Sequence, residues 1–188
     1  MPMENAREML VHELGDMMDA ETRLRNALEK MAKKCTNQNL KTLFEDHREE
    51  TEGQIERLQQ VFKDLEEKAK RQPCKGMRGL IDEFETFVKE EKPEDDLLDV
   101  FACGAAIKVE HYEISAYESL IKMAKQLGLE EEAKQLEETL QEEQTMLQRL
   151  QEIGQELISQ LPAEEEMEME EEEEEAAAST GGKRSRSR

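Results

Sequence analysis

The chain contains no tryptophan, and aromatic residues are only 4% of its 188 residues. A β-sandwich or barrel, whose core draws on aromatic and β-branched strands, is therefore not expected. Breakers are scarce too, with nine glycines and four prolines. That scarcity, with leucine, glutamate, lysine, glutamine and alanine prominent, predicts an all-α chain. No stretch approaches the roughly 20 uncharged apolar residues of a membrane span. The opening Met1-Pro2-Met3-Glu4-Asn5-Ala6-Arg7-Glu8 has no apolar signal region. Cysteine is limited to Cys35, Cys74 and Cys103, odd in number and far apart. Free thiols and a cytoplasmic location are the expectation. Positive charge is in deficit, with 26 basic against 47 acidic residues and a net charge of −21. Such a field repels nucleic acid and acidic membrane surfaces, so neither is expected as a partner. It attracts cations without making a site for one.

What the chain does have is apolar periodicity. From about Met3 to Lys34 a stripe reads Leu10, Leu14, Met17, Glu21, Leu24, Leu28 and Met31, spaced by threes and fours. Cys35 to Gln38 is a short connection, so the second helix lies antiparallel to the first. Its stripe is Leu40, Phe44, His47, Thr51, Gln54, Leu58, Val61 and Leu65, and the helix is expected to end near Arg71. Pro73, Gly76 and Gly79 break the chain before a shorter helix, about Gly79 to Glu91. Pro93 and the acids Glu94, Asp95 and Asp96 open a third long helix, which Gly128 ends. Its two core rows share Glu110 and Tyr117, and one of them also carries Glu113. The fourth long helix starts near Glu130, with the stripe Ala133, Leu136, Leu140, Glu143, Leu147, Leu150, Ile153 and Leu157.

Each long stripe is interrupted by polar groups near its middle. The groups are Glu21; His47, with Glu50 three residues on; Glu110 with Glu113; and Glu143. Taken alone, Glu21 reads as an edge residue reaching water. Counted from the connecting loops, however, the groups fall at matching heights, roughly 20 Å from the first loop at about 1.5 Å per residue. Several carboxylates turned into one core cannot all be charged without a cation. Carboxylates with an imidazole in a four-helix core are the ligand set of dinuclear iron or manganese sites. The competing reading is a bundle in which polar core residues only set register. His12 and His111 fall off the clearest core rows.

After Leu161 the composition changes. Ten glutamates fall between Glu164 and Glu175, and the chain closes on Lys183-Arg184-Ser185-Arg186-Ser187-Arg188. Two regions are expected: a helical bundle over 1–160, and over 161–188 a disordered acidic tail ending in a short basic cluster. That cluster reads as a solvated end pairing loosely with the acids beside it, ahead of a localisation or nucleic-acid patch.

The combination of Leu14-x-Asp16 with Ala20-Glu21, Phe44-Glu45-Asp46-His47-Arg48-Glu49-Glu50-Thr51, Cys74-Lys75-Gly76-Met77-Arg78-Gly79-Leu80-Ile81 and Glu110-His111-Tyr112-Glu113-Ile114-Ser115-Ala116-Tyr117 resembles the YciE/YciF family of bacterial stress proteins. The resemblance implies a ferritin-like four-helix bundle with an extra short helix between the second and third long helices. It also implies a homodimer and a carboxylate-rich centre in which Glu21, Glu50, Glu113 and Glu143 match ligands, with His47 and Glu110 beside them. Ferritin-like sites use Glu-x-x-His on two helices. Here one helix has the reverse order, His47-x-x-Glu50, and Met146 stands where the second histidine would fall. Two functions follow. One is a metal protein handling iron, oxygen or peroxide under stress. The other is a non-enzymatic dimeric scaffold whose polar core is vestigial.

Overall fold

A computed structural model describes residues 2–162. The expected tail after Pro162 lies outside the described residues. The described residues form five helices in the order α1 (Ala6–Lys34), α2 (Gln38–Asp64), α3 (Lys75–Glu91), α4 (Asp95–Gln126) and α5 (Glu130–Ser159), with no strand. No helix among the described residues is long and apolar enough to cross a membrane.

The four long helices touch in a closed ring, α1 against α2 and α4, and α5 against α2 and α4. Hydrogen bonds at the two ends give their directions. Asp99, at the start of α4, accepts from the Thr36 and Asn37 amides in the α1–α2 connection, at 2.9 and 2.7 Å. At the other end Gln135, near the start of α5, donates to Asp64, the last residue of α2. So α4 begins at the end where α1 meets α2, while α2 ends where α5 begins. Residues 65–94 therefore run the length of the molecule, and α3 lies within that crossing against α1 and α4.

The stripes of α1 and α2 are buried throughout, as their periodicity predicts. In α4 the row through Ala106, Glu110, Glu113, Tyr117, Leu120 and Ala124 is fully buried, while Ile107 and Ile114 are half-buried. In α5 the inward row departs from expectation. Thr139 and Met146 are buried, and Leu140 and Leu147 only half-buried. Thr139 is drawn inward by Arg57, whose Nη1 donates to its hydroxyl at 2.6 Å.

Two boundaries also differ. The second helix stops at Asp64 rather than near Arg71. Glu66 takes a left-handed conformation, φ 56°, and its amide bonds to the Lys63 carbonyl while Glu67 bonds to Phe62. This is a Schellman end built on glutamate where glycine is usual, so the sequence carries no signal for it. Tertiary contacts favour the break: the Gln72 amide donates to the Gly15 carbonyl at 2.9 Å, and Arg71 reaches Asp19 at 2.6 Å. The short helix starts at Lys75, not Gly79. Gly76 lies inside it because the Tyr112 ring is there; a Cβ would come within 2.6 Å of Tyr112 Cε2.

On α3 Phe84 is buried, Leu80, Ile81, Phe87 and Val88 are half-buried, and Phe87 stacks on Phe101 of α4 with centroids 3.6 Å apart. The three cysteines are free and buried.

Candidate metal centre

Of the six residues singled out in the sequence, five are buried: Glu21, His47, Glu110, Glu113 and Glu143. They come from all four long helices. The structure brings His47, Glu110, Glu113 and Glu143 together, each offering one ligand atom within 4.8 Å of the others. This cluster can hold a metal ion. Glu21 is buried beside it but outside that group, with one oxygen taken by the Tyr117 hydroxyl. Glu50 stands apart: its side chain is 41% exposed, with its carboxylate 3.7 Å from His47 Nδ1 at the edge of the centre. His12 and His111 are exposed.

The sequence produces this convergence locally. Glu110 and Glu113 are three residues apart on α4 and so share a face. His47 and Glu143 each sit on a row that is otherwise core, so packing the apolar neighbours turns them inward. Thr51, also in the α2 row, bonds the His47 carbonyl of its own helix and asks nothing of the centre.

The polar atoms brought inside are short of partners. Both oxygens of Glu110, Glu113 and Glu143, the second oxygen of Glu21 and both ring nitrogens of His47 are buried without a hydrogen bond. His47 Nε2 does lie 3.1 Å from Glu110 Oε1, close enough for strong attraction though not aligned as a hydrogen bond. Buried carboxylates are ordinarily paired, because leaving them bare costs several kcal/mol.

The electrostatics follow from the crowding. Burial pushes the Glu21 carboxyl up to about 7, against the opposing pull of the Tyr117 hydrogen bond. Burial raises Glu113 and Glu143 well above the carboxylate range, and the charge of Glu21 adds to both shifts. Burial alone would lower His47, but the neighbouring Glu110 carboxylate outweighs it and holds the imidazolium proton on. Tyr117 is raised by burial and by Glu21. Glu50 is lowered, chiefly by the nearby His47 ring. Without a cation the centre therefore stores protons; with one, the same carboxylates become free to ionise onto it.

Two polar groupings nearby escaped sequence reasoning. Arg57 pairs with Glu142 through two nitrogens, at 3.0 and 2.9 Å, and buried Gln54 donates to the same carboxylate at 3.2 Å. This layer joins α2 to α5. Its only trace in the sequence is polar residues spaced by three, Gln54 with Arg57 and Thr139 with Glu142. Asp19 of α1 is buried and accepts from Arg23, Arg71 and the Cys74 amide, so it ties the residues leading into α3 to α1. An aspartate on the first helix gave no sign of partners more than fifty residues away.

Fold and site together define an all-helical protein whose four long helices bury one imidazole and several carboxylates at their centre. The chain belongs to the family described as a domain of unknown function, DUF892, whose model matches residues 5–162. It is 42% identical over 144 residues to protein YciF of Escherichia coli strain K12, a match covering 76% of this chain and 86% of YciF. The crystal structure of the E. coli stress protein YciF is similar with a TM-score of 0.80 and 38% identity, over 85% of this chain and all of that one. YcfI of Rhodopseudomonas palustris is similar with a TM-score of 0.77 and 36% identity, over 79% and 94% of the two chains.

Proposed function

We propose that the chain is a ferritin-like four-helix bundle with α3 as its added helix, and that its centre is a dinuclear iron or manganese site serving stress defence against iron, oxygen or peroxide. The observation that carries this reading is the set of partnerless buried oxygens on Glu110, Glu113 and Glu143 beside His47. The donor set fits a metal. Oxygen ligands with one imidazole suit iron or manganese. The buried carboxylates Glu21, Glu110, Glu113 and Glu143 carry four negative charges when ionised, which two divalent cations balance.

His47, Glu110, Glu113 and Glu143 would hold the ions, with Glu21 adding its free oxygen and Glu50 standing at the rim. Bound there, the metals would supply Lewis acidity and a clamp for oxygen-containing reactants. The chain's own contribution is clearer. Apolar helix walls keep bulk water out. The Tyr117 hydroxyl orients Glu21 and occupies one of its oxygens. Arg57 with Glu142 braces α2 against α5 beside the centre. A cytoplasmic homodimer is part of the proposal. The buried free thiols support the location, and the dimer rests on the family resemblance.

The second reading is a non-enzymatic scaffold. Two observations favour it: the centre has one histidine, with buried Met146 in place of another, and YcfI carries the description of a candidate structural protein. Metal analysis separates the two. Protein purified without chelator, then titrated with Fe(II) and Mn(II), is expected to bind two ions per chain and to lose them in Glu143→Gln. No uptake, or uptake unchanged in Glu143→Gln, overturns the metal reading in favour of the scaffold.

A further inference from the structure

We propose that the apolar pocket between α1, α3 and α4 is a binding site for one molecule of dioxygen, placed beside the candidate metal centre. Its inner end reaches Glu110, and its walls include Leu28, Leu80, Phe84, Ala106 and Val109. The room for the centre of a water-sized molecule is about 20 Å³. One small molecule needs roughly 10–15 Å³ on the same measure, so the space takes one guest and not a chain of waters. Glu110 is the only lining residue that is not apolar. A water placed there lacks the two to four polar partners it needs, and apolar cavities of this kind stay dry and take up small apolar guests. Dioxygen is small, apolar and gives up no hydrogen bonds on entering.

The geometry also accounts for α3. Phe84 is buried and Leu80 and Ile81 half-buried, so α3 closes the outer side of the cavity while leaving its edge near solvent. On α4 the short side chains Ala105 and Ala106 leave the space open. Larger residues there would fill it. The purpose of the site rests on the metal reading, but its occupancy does not.

The test uses the full, metal-free chain with labelled methyl groups, observed by NMR under dioxygen pressure. Dioxygen is paramagnetic and speeds relaxation of the methyls it dwells beside. The methyls of Leu28, Leu80 and Val109 should relax faster than those of Leu150, which is fully buried but outside the cavity. Ala106→Leu should abolish that excess. Equal enhancement at Leu28 and Leu150 overturns the proposal with no variant required. If Ala106→Leu does not fold, a crystal of the parent under xenon decides: a xenon peak between Phe84 and Ala106 upholds the site, and its absence removes it. Metal uptake without the dioxygen excess sinks this inference alone. The excess without metal uptake upholds the cavity and sinks the metal reading.

Discussion

The hydroxyl of Tyr117 on α4 donates to one oxygen of Glu21 on α1, and both side chains are fully buried. The bond crosses between two helices at the level of the candidate centre. It leaves the other Glu21 oxygen free. It also opposes the upward push that burial exerts on this carboxyl.

Tyr117→Phe keeps the ring and removes only the donor. A buried acceptor left unpaired costs about 1–3 kcal/mol, so the variant should unfold at lower urea with an unchanged slope. Glu21 should also hold its proton to higher pH. An unfolding midpoint equal to the parent's would mean the hydrogen bond contributes nothing.

Metal and fold should respond to different residues. Glu113→Gln puts a neutral amide where the metal-free centre holds a protonated carboxyl, at nearly constant volume, so metal uptake should be lost while the metal-free melting temperature at neutral pH changes little. Leu136 is buried on α5, about two turns before Glu143. Leu136→Ala should do the reverse, costing about 2–5 kcal/mol with metal stoichiometry intact. Calorimetry with parallel metal analysis checks both, and a Glu113→Gln variant that keeps its ions would falsify the ligand assignment.

The metal-free protein should be most stable in mild acid. Glu21, Glu113 and Glu143 have raised folded values, so the stability they contribute is full below the ordinary carboxylate range. It is lost as pH rises through their folded values, about 7 for Glu21. His47 is raised as well, and its contribution is full below its ordinary value and lost above the raised one. Asp19 works oppositely. Burial pushes it up, but Arg23, the Cys74 amide and Arg71 outweigh that and lower it, so its contribution is lost on acidification through its folded value. Thermal melts in chelator from about pH 2 to about pH 9 should therefore fall off at both ends, the acid loss lying below about pH 4, and saturating metal should flatten the alkaline side. An alkaline limb identical with and without metal would contradict this.

Asp19→Asn should loosen the approach to α3. The carboxylate holds Arg71, Arg23 and the Cys74 amide at once. Losing the charge-assisted bonds should cost about 1–3 kcal/mol. Trypsin should then cut faster at Lys68, Lys70 or Arg71, which lie in the non-helical stretch before α3. Unchanged cleavage there would show that other contacts hold the segment.

The sequence by itself determined the helical class, the buried faces of α1 and α2, and the height at which polar residues interrupt each core row. These are readable because apolar spacing of three and four is a local property of the chain, and heights follow from counting residues to a short loop. It also singled out His47, Glu110, Glu113 and Glu143, which the fold gathers. Tertiary structure alone decided what each polar group meets. Glu50 stands to His47 at the same spacing of three as Glu113 to Glu110, yet its carboxylate stays at the rim. Glu21 meets a tyrosine ninety-six residues away. The end of α2 at Asp64, the inward turn of Thr139 and the glycine at 76 each answer a partner distant in sequence: Gly15 and Asp19, Arg57, and Tyr112. Periodicity says which face is buried; only packing, in which each side chain takes the space and the hydrogen bonds its neighbours leave, says against what.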